Sequence, residues 1–328
     1  MEKLYCPRLE HYVRLNSNGT FGQCGHMVDP PQFDTYKQMN NSAWAEYLKY
    51  QMNNNEWPDE CKRCKATEEI NGTSIRLNSI ERDKILSKFK KDYIQLGGTL
   101  DNYCNSACIS CNPGLSTRIG NLKGKLVVND NYDLYKTLPL DQIVEIDING
   151  GEPSISVNYN DLLDNIPENV KIIRINTNGC KRIKQLPALL ARKIKIIITV
   201  SLDGLNQVHD YARYPVKWTD FSSNLQYYNQ LSKEEKMLNL DTWTTVSVLN
   251  IQQLPLIQEY CKDYDISHEF ALLEHPSVMN VRYSNWFTLQ AQDVIPGKVA
   301  IDRDNTVELD AFLGLEEAVR PGIERFWT

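Results

Sequence analysis

The sequence predicts an α/β fold: a partial (β/α)6 barrel, preceded by a small cysteine-rich α+β module and followed by a C-terminal cap. Three observations lead there. Strand-like runs recur at Tyr93–Leu96, Ile143–Ile148, Ile172–Asn176, Ile194–Val200, Thr242–Val248 and His268–Leu273, with helix-length segments between most of them, the alternation of parallel βαβ units. Runs such as Ile172-Ile173 and Ile196-Ile197-Ile198 are β-branched throughout, as in strands covered on both faces. After the sixth run the pattern changes.

Taken in order, residues 1–70 hold Cys6, Cys24, Cys61 and Cys64. Asn18-Gly19 reads as a hairpin turn, Ala43–Asn53 as a helix, and Pro58 as the turn into Cys61-Lys62-Arg63-Cys64. Four thiolates close a metal site completely, and on spacing alone a zinc ribbon fits best. Residues 71–92 form a helical linker, heavily charged from Arg76 to Lys91, and the barrel spans 93–275. Sites in parallel barrels lie at the C-terminal ends of the strands. That rule nominates Asn149-Gly150-Gly151-Glu152-Pro153, Asn176-Thr177-Asn178-Gly179, Ser201-Leu202-Asp203-Gly204, Asn250 and Glu274-His275. The cap, 276–328, offers Trp286, Phe287, Phe326 and Trp327 as lid or core aromatics, core being the commoner use.

Behind the first strand, the stretch DNYCNSACISCNPGLSTR presents Cys104, Cys108 and Cys111 in one tight loop, with Ser116-Thr117 placed to cap the next helix. A [4Fe–4S] cluster is normally held by four cysteines, so three leave one iron open to a small molecule. Zinc also takes cysteines at such spacings. The triplet alone leaves both readings open. The strand ending in Gly150-Gly151-Glu152-Pro153 separates them, because paired glycines let backbone approach a ligand and Glu152 adds a carboxylate able to meet an ammonium group.

With these two motifs in this order, the chain resembles the radical S-adenosylmethionine superfamily. The resemblance implies that Cys104, Cys108 and Cys111 ligate a catalytic [4Fe–4S] cluster whose open iron takes the amine and carboxylate of S-adenosylmethionine. It further implies that Asn149, Gly150, Gly151 and Glu152 orient the amine, that Ser201 meets the ribose, and that Arg213 meets the carboxylate. Asn178, Asp203 and Asn250 would line the same rim, although Asn-Gly and Asp-Gly can equally be plain turn dipeptides. One position departs from the family pattern: Ser110 stands where most members carry an aromatic residue near the adenine, so that contact is not carried over.

The N-terminal cysteine set resembles the twitch domain, the shortened relative of the SPASM domain, which implies an auxiliary [4Fe–4S] cluster in place of zinc. Its position before the barrel departs from better-known members, where it follows. A permuted arrangement and an unrelated four-cysteine knuckle both remain open. A fully ligated cluster has no open iron, so it would relay electrons; zinc would only brace the fold.

The composition is consistent with this division. A chain of 328 residues suits one barrel with small appendages. Nine cysteines, with seven allotted, leave Cys180 and Cys261 as buried thiols and not as a disulfide framework. The N-terminus has no apolar signal region and no run reaches membrane-spanning length, which points to a soluble protein of the reducing cytoplasm. Net charge is −6, and Lys88–Asp92 and Lys181–Lys184 read as solvated helix faces, which argues against nucleic acid.

The resemblance then implies an oxidoreductase or radical-based modifying enzyme. It would cleave S-adenosylmethionine reductively to a 5′-deoxyadenosyl radical that abstracts hydrogen from a peptide or small metabolite. A one-electron donor such as flavodoxin or ferredoxin would feed it. Two alternatives stand beside this: the same chemistry on a nucleotide or nucleic acid, and a non-catalytic iron–sulfur or zinc protein that binds a partner. The intact Gly-Gly-Glu-Pro strand end counts against the last.

Overall fold

The computed structural model describes residues 4–283 and Arg320, arranged in two compact units. The first comprises Met1–Asp101, Asn129–Gly150 and Asp161–Arg174; the second comprises Asn102–Val128, Gly151–Asn160 and Ile175–Thr328. Both are mixed α/β.

In the first unit β1 (Tyr12–Leu15) and β2 (Phe21–Gly22) form an antiparallel hairpin that turns at Gly19, whose φ of 81° suits glycine. β1 then runs parallel to β3 (Ile94–Thr99), and β3 parallel to β4 (Ile143–Asn149). β4 in turn pairs with the start of β5 (Ile172–Thr177) through Glu145 and Ile146. The approach of β1 depends on Gly98, where a Cβ would fall 2.1 Å from the Leu15 carbonyl oxygen.

The helix expected at Ala43–Asn53 is present with those bounds, capped by Ser42, and buries Ala45, Leu48 and Met52. Leu48 and Met52 pack with Leu9, Met27, Cys24 and Cys61 in one apolar cluster. Lys62–Asn71 and Ile75–Leu86 are helices, with Gly72 in the left-handed region ending the first and the Ser74 hydroxyl capping the second.

The second unit holds the end of β5, β6 (Lys195–Ser201), β7 (Leu238–Val246) and β8 (Ser267–Leu272), with β6–β7 and β7–β8 parallel. The helices Trp218–Glu234 and Leu254–Asp263 make the two connections. After the β1–β2 hairpin, β3 to β8 follow one another along the chain in the order expected for a partial barrel. β7 begins earlier than its β-branched residues suggested, because Asn239 and Asp241 alternate with the buried Leu238 and Leu240.

The compact units cut across the divisions expected near residues 70 and 92, because β1 lies in the cysteine module and pairs with β3. The cap aromatics Trp286, Phe287, Phe326 and Trp327 lie outside the described residues. Among the described residues no helix is long and apolar enough to cross a membrane.

Candidate active site

The three-cysteine loop is fastened by hydrogen bonds that do not involve its thiols. Asn102 Nδ2 donates to the Val127 carbonyl at 2.8 Å, and Ser116 Oγ donates to the Ser106 carbonyl at 2.6 Å while capping the helix Thr117–Leu122. Thr117 Oγ1 accepts from the Cys104 amide at 3.3 Å. The amides of Ala107 and Ile109 donate to the carbonyls of Tyr214 and Ala212, and Arg320 Nε donates to the Ala107 carbonyl at 2.8 Å. The cap that Ser116 and Thr117 suggested is thus present.

Burial, with repulsion from Cys108 next, pushes the Cys104 thiol up to about 12 and Cys111 up to about 11. Burial raises Cys108 as well, against the Arg213 charge. Without a metal the three thiols stay protonated; metal ligation would convert them to thiolates.

Gly151 must be glycine, because a Cβ there would lie 2.1 Å from the Tyr103 carbonyl oxygen. The Glu152 amide then donates to that same oxygen at 2.8 Å, stitching the strand-end motif to the cluster loop. Glu152 itself is 1% exposed. Its Oε1 accepts from the Ser154 amide and hydroxyl and from the Thr177 hydroxyl, at 3.0, 2.6 and 2.7 Å, and Oε2 accepts from the Asn178 amide at 2.6 Å. Three of these bonds fall on Oε1 and one on Oε2, which keeps a lone-pair site open. In this geometry Glu152 fastens the end of β5 to the motif. Asn149 is exposed at the end of β4, and Gly150 follows it against the Asp101 carbonyl.

The other rim residues are also engaged. Asn178 Nδ2 donates to Asn105 Oδ1 and Ser106 Oγ, at 3.0 and 2.7 Å, so it braces the cysteine loop from β5. Asp203 pairs with Arg213 and accepts the Thr245 amide. Asn250 Nδ2 donates to the Asp203 and Thr245 carbonyls, both at 3.0 Å. Although burial opposes its charge, Cys108 and Asp203 hold Arg213 above the usual arginine range, and its buried Nε has no partner. Ser201 is half-buried at the end of β6, Ser110 is half-buried, and Glu274 and His275 are exposed.

The bracing side chains Asn102, Ser106 and Ser154 went unnoticed in the sequence, whereas Ser116 was signalled by its capping pattern and Thr177 by its place at a strand end. Cys180, expected to be buried, is half-buried, with Sγ 3.5 Å from Ser154 Oγ and 3.6 Å from Asn105 Oδ1. Polar neighbours at the strand end keep it near the surface. Cys261 is buried as expected.

Cys6, Cys24, Cys61 and Cys64 line a single pocket with Arg8, Leu9, His26, Met27, Met52, Trp57, Ile75 and Arg76. Burial first, then the neighbouring thiols Cys24 and Cys6 respectively, push Cys6 and Cys61 up to about 12. Among the described residues no three His, Cys, Asp or Glu side chains are set to hold a single metal ion. A cubane does not require that, since each of its cysteines binds a different iron. All nine cysteines are free thiols.

No family model matches the chain. Over 111 residues it is 29% identical to the mycofactocin maturase MftC of Mycobacterium ulcerans, covering 34% of this chain and 29% of that one. Over 135 residues it is 25% identical to the GTP 3′,8-cyclase of Pasteurella multocida, covering 40% of each. The chain therefore spans less than half the length of the curated relatives it matches. Streptococcus suis SuiB, solved with S-adenosylmethionine bound, overlays 95% of this chain and 70% of its own at 14% identity, with a TM-score of 0.43. The curated relatives support a radical S-adenosylmethionine enzyme.

For a radical S-adenosylmethionine enzyme, the three crowded thiols on a loop fastened without them fit a three-cysteine cluster. The unpartnered Nε of Arg213 fits an anionic group nearby. The role of Glu152 is testable. Glu152→Ala leaves the Ser154, Thr177 and Asn178 donors without an acceptor, each bond to a charged group being worth about 1.5–3 kcal/mol. It should lower the melting temperature and the iron content together. Weakened S-adenosylmethionine binding with an unchanged melting temperature would assign Glu152 to the cofactor instead.

Proposed function

We propose that the chain holds a [4Fe–4S] cluster through Cys104, Cys108 and Cys111 and binds S-adenosylmethionine at its open iron. The observation that carries this is the attachment of the cysteine loop to the Gly-Gly-Glu-Pro strand end through Tyr103, Glu152 and Asn178. When bound, the cluster and cofactor supply a one-electron cleavage to methionine and a 5′-deoxyadenosyl radical, which takes a hydrogen atom from substrate.

The side chains divide the remaining work. Gly150 and Gly151 offer backbone to the cofactor amine, Arg213 meets its carboxylate, and Ser201 meets its ribose. Asn149 lies beside the glycine pair. Glu152, Asn178, Asp203 and Asn250 keep the strand ends and the cysteine loop in register around it. Cys6, Cys24, Cys61 and Cys64 hold the auxiliary [4Fe–4S] cluster, which relays an electron to or from the substrate. Flavodoxin or ferredoxin in a reducing cytoplasm is the donor.

A peptide or small metabolite is the substrate, a reading supported by the maturase among the relatives. Chemistry on a nucleotide is the second reading, favoured by the cyclase relative and opposed by the net charge of −6. Anaerobically reconstituted, dithionite-reduced protein given S-adenosylmethionine should release 5′-deoxyadenosine slowly without substrate. Candidate peptides, metabolites and nucleoside triphosphates are then screened for a mass change. Iron-loaded protein that releases no 5′-deoxyadenosine would overturn the proposal.

A further inference from the structure

We propose that Arg8 is the counter-charge of the four-cysteine site and sets the reduction potential of the cluster held there, an inference that rests on the auxiliary-cluster reading above. The Arg8 guanidinium lies over the Tyr12 ring, 3.7 Å from its centroid, and Nη1 donates to Cys24 Sγ at 3.5 Å. It lines the pocket formed by the four thiols. Its Nε is buried and has no partner.

Several other arginines drawn into the fold meet a carboxylate. Arg76 is paired with Glu68, Arg82 and Arg174 with Glu145, and Arg213 with Asp203. Among the described residues Arg8 makes no ion pair with any carboxylate. Arg8 is half-buried; a partly desolvated cation without an anion is unfavourable, and the groups Arg8 faces are thiols.

Loading the pocket resolves the imbalance. The core of a cubane carries fewer positive charges than its four thiolates carry negative ones, so the filled site is an anion, and reduction makes it more negative. A fixed cation and an N–H donor on one sulfur stabilise the reduced state more than the oxidised one, which raises the potential. The rest of the wall is largely apolar, with Leu9, Met27, Met52, Trp57 and Ile75, so the charge acts through a poorly screening medium. The His26 amide donates a second bond to Cys24 Sγ at 3.5 Å.

The test uses the full chain with Cys104, Cys108 and Cys111 changed to alanine, so that only the N-terminal cluster reports. Its midpoint potential is measured by redox titration followed by electron paramagnetic resonance. Arg8→Met should lower the reduction equilibrium at least tenfold, a downward shift of about 59 mV for a one-electron couple. Arg8→Lys, which keeps the charge without the planar fork, should fall between Arg8→Met and the parent. An unchanged midpoint in iron-loaded Arg8→Met overturns the role of Arg8 and leaves the auxiliary cluster standing. A parent that holds zinc, or no metal, at the four cysteines overturns both. Should Arg8→Met hold no iron, Arg8→Gln and Arg8→Lys carry the comparison: a lower midpoint for Gln supports the proposal, and equal midpoints overturn it.

Discussion

Changing Cys104, Cys108 and Cys111 together to alanine should leave a folded protein with half its iron and no release of 5′-deoxyadenosine. The fold should survive because the loop is held by Asn102, Ser116, Thr117 and Asn178, while Cys104 Sγ accepts only the Ser106 amide, at 3.4 Å. Loss of the three thiols, of which only Cys108 is buried, therefore removes ligands without removing the loop's supports. Iron should fall from about eight to about four per chain, one cubane of two. Continued 5′-deoxyadenosine release from the triple variant would sink the assignment of these cysteines. About four irons and one stoichiometric zinc in the parent would instead remove the auxiliary cluster and leave the catalytic one in place.

The reciprocal experiment separates the two sites. Cys61→Ala with Cys64→Ala should keep 5′-deoxyadenosine formation near the parent rate and abolish conversion of the true substrate. Cys61 is buried against Leu48 and Met52, and Cys64 lies in the helix Lys62–Asn71, so the double change empties one wall of the four-cysteine pocket. Loss of a metal site can unfold a small module. The pairing of Arg76 with Glu68 and the core of the helix Ala43–Asn53 oppose that outcome. Circular dichroism and retention of the catalytic cluster are checked first. A well-folded variant that still makes product at the parent rate would show the N-terminal site to be structural.

The six strand-like runs were legible from their apolar, bounded stretches, and Ile172-Ile173 and Ile196-Ile197-Ile198 also from β-branched residues. Asn18-Gly19 marked the turn of the β1–β2 hairpin, but the bounds of its strands were not legible, since Tyr12–Leu15 contains an arginine, Phe21–Gly22 is two residues long, and β1 is placed by pairing with β3, far along the chain. The site shows a similar division. Spacing exposed the cysteines, and the glycine pair exposed Glu152. Asn178, Asp203 and Asn250 were nominated by lying at strand ends, but a position at a rim does not say which way a side chain turns. In the structure their polar atoms meet the backbone and side chains of other loops. Such partners, 25 or more residues apart in several cases, leave no local pattern.

The pairing of β1 with β3 also means that the cysteine module is not a detachable accessory. Excising residues 1–70 would take away the hydrogen-bonding neighbour of Gln95 to Gly98. It would leave a raw strand edge at the start of the barrel, and an unpaired edge is a template for association with other chains. The hairpin between Cys6 and Cys24 thus serves as a selvedge for the sheet: the segment that gathers the four cysteines is the same one that keeps β3 from fraying.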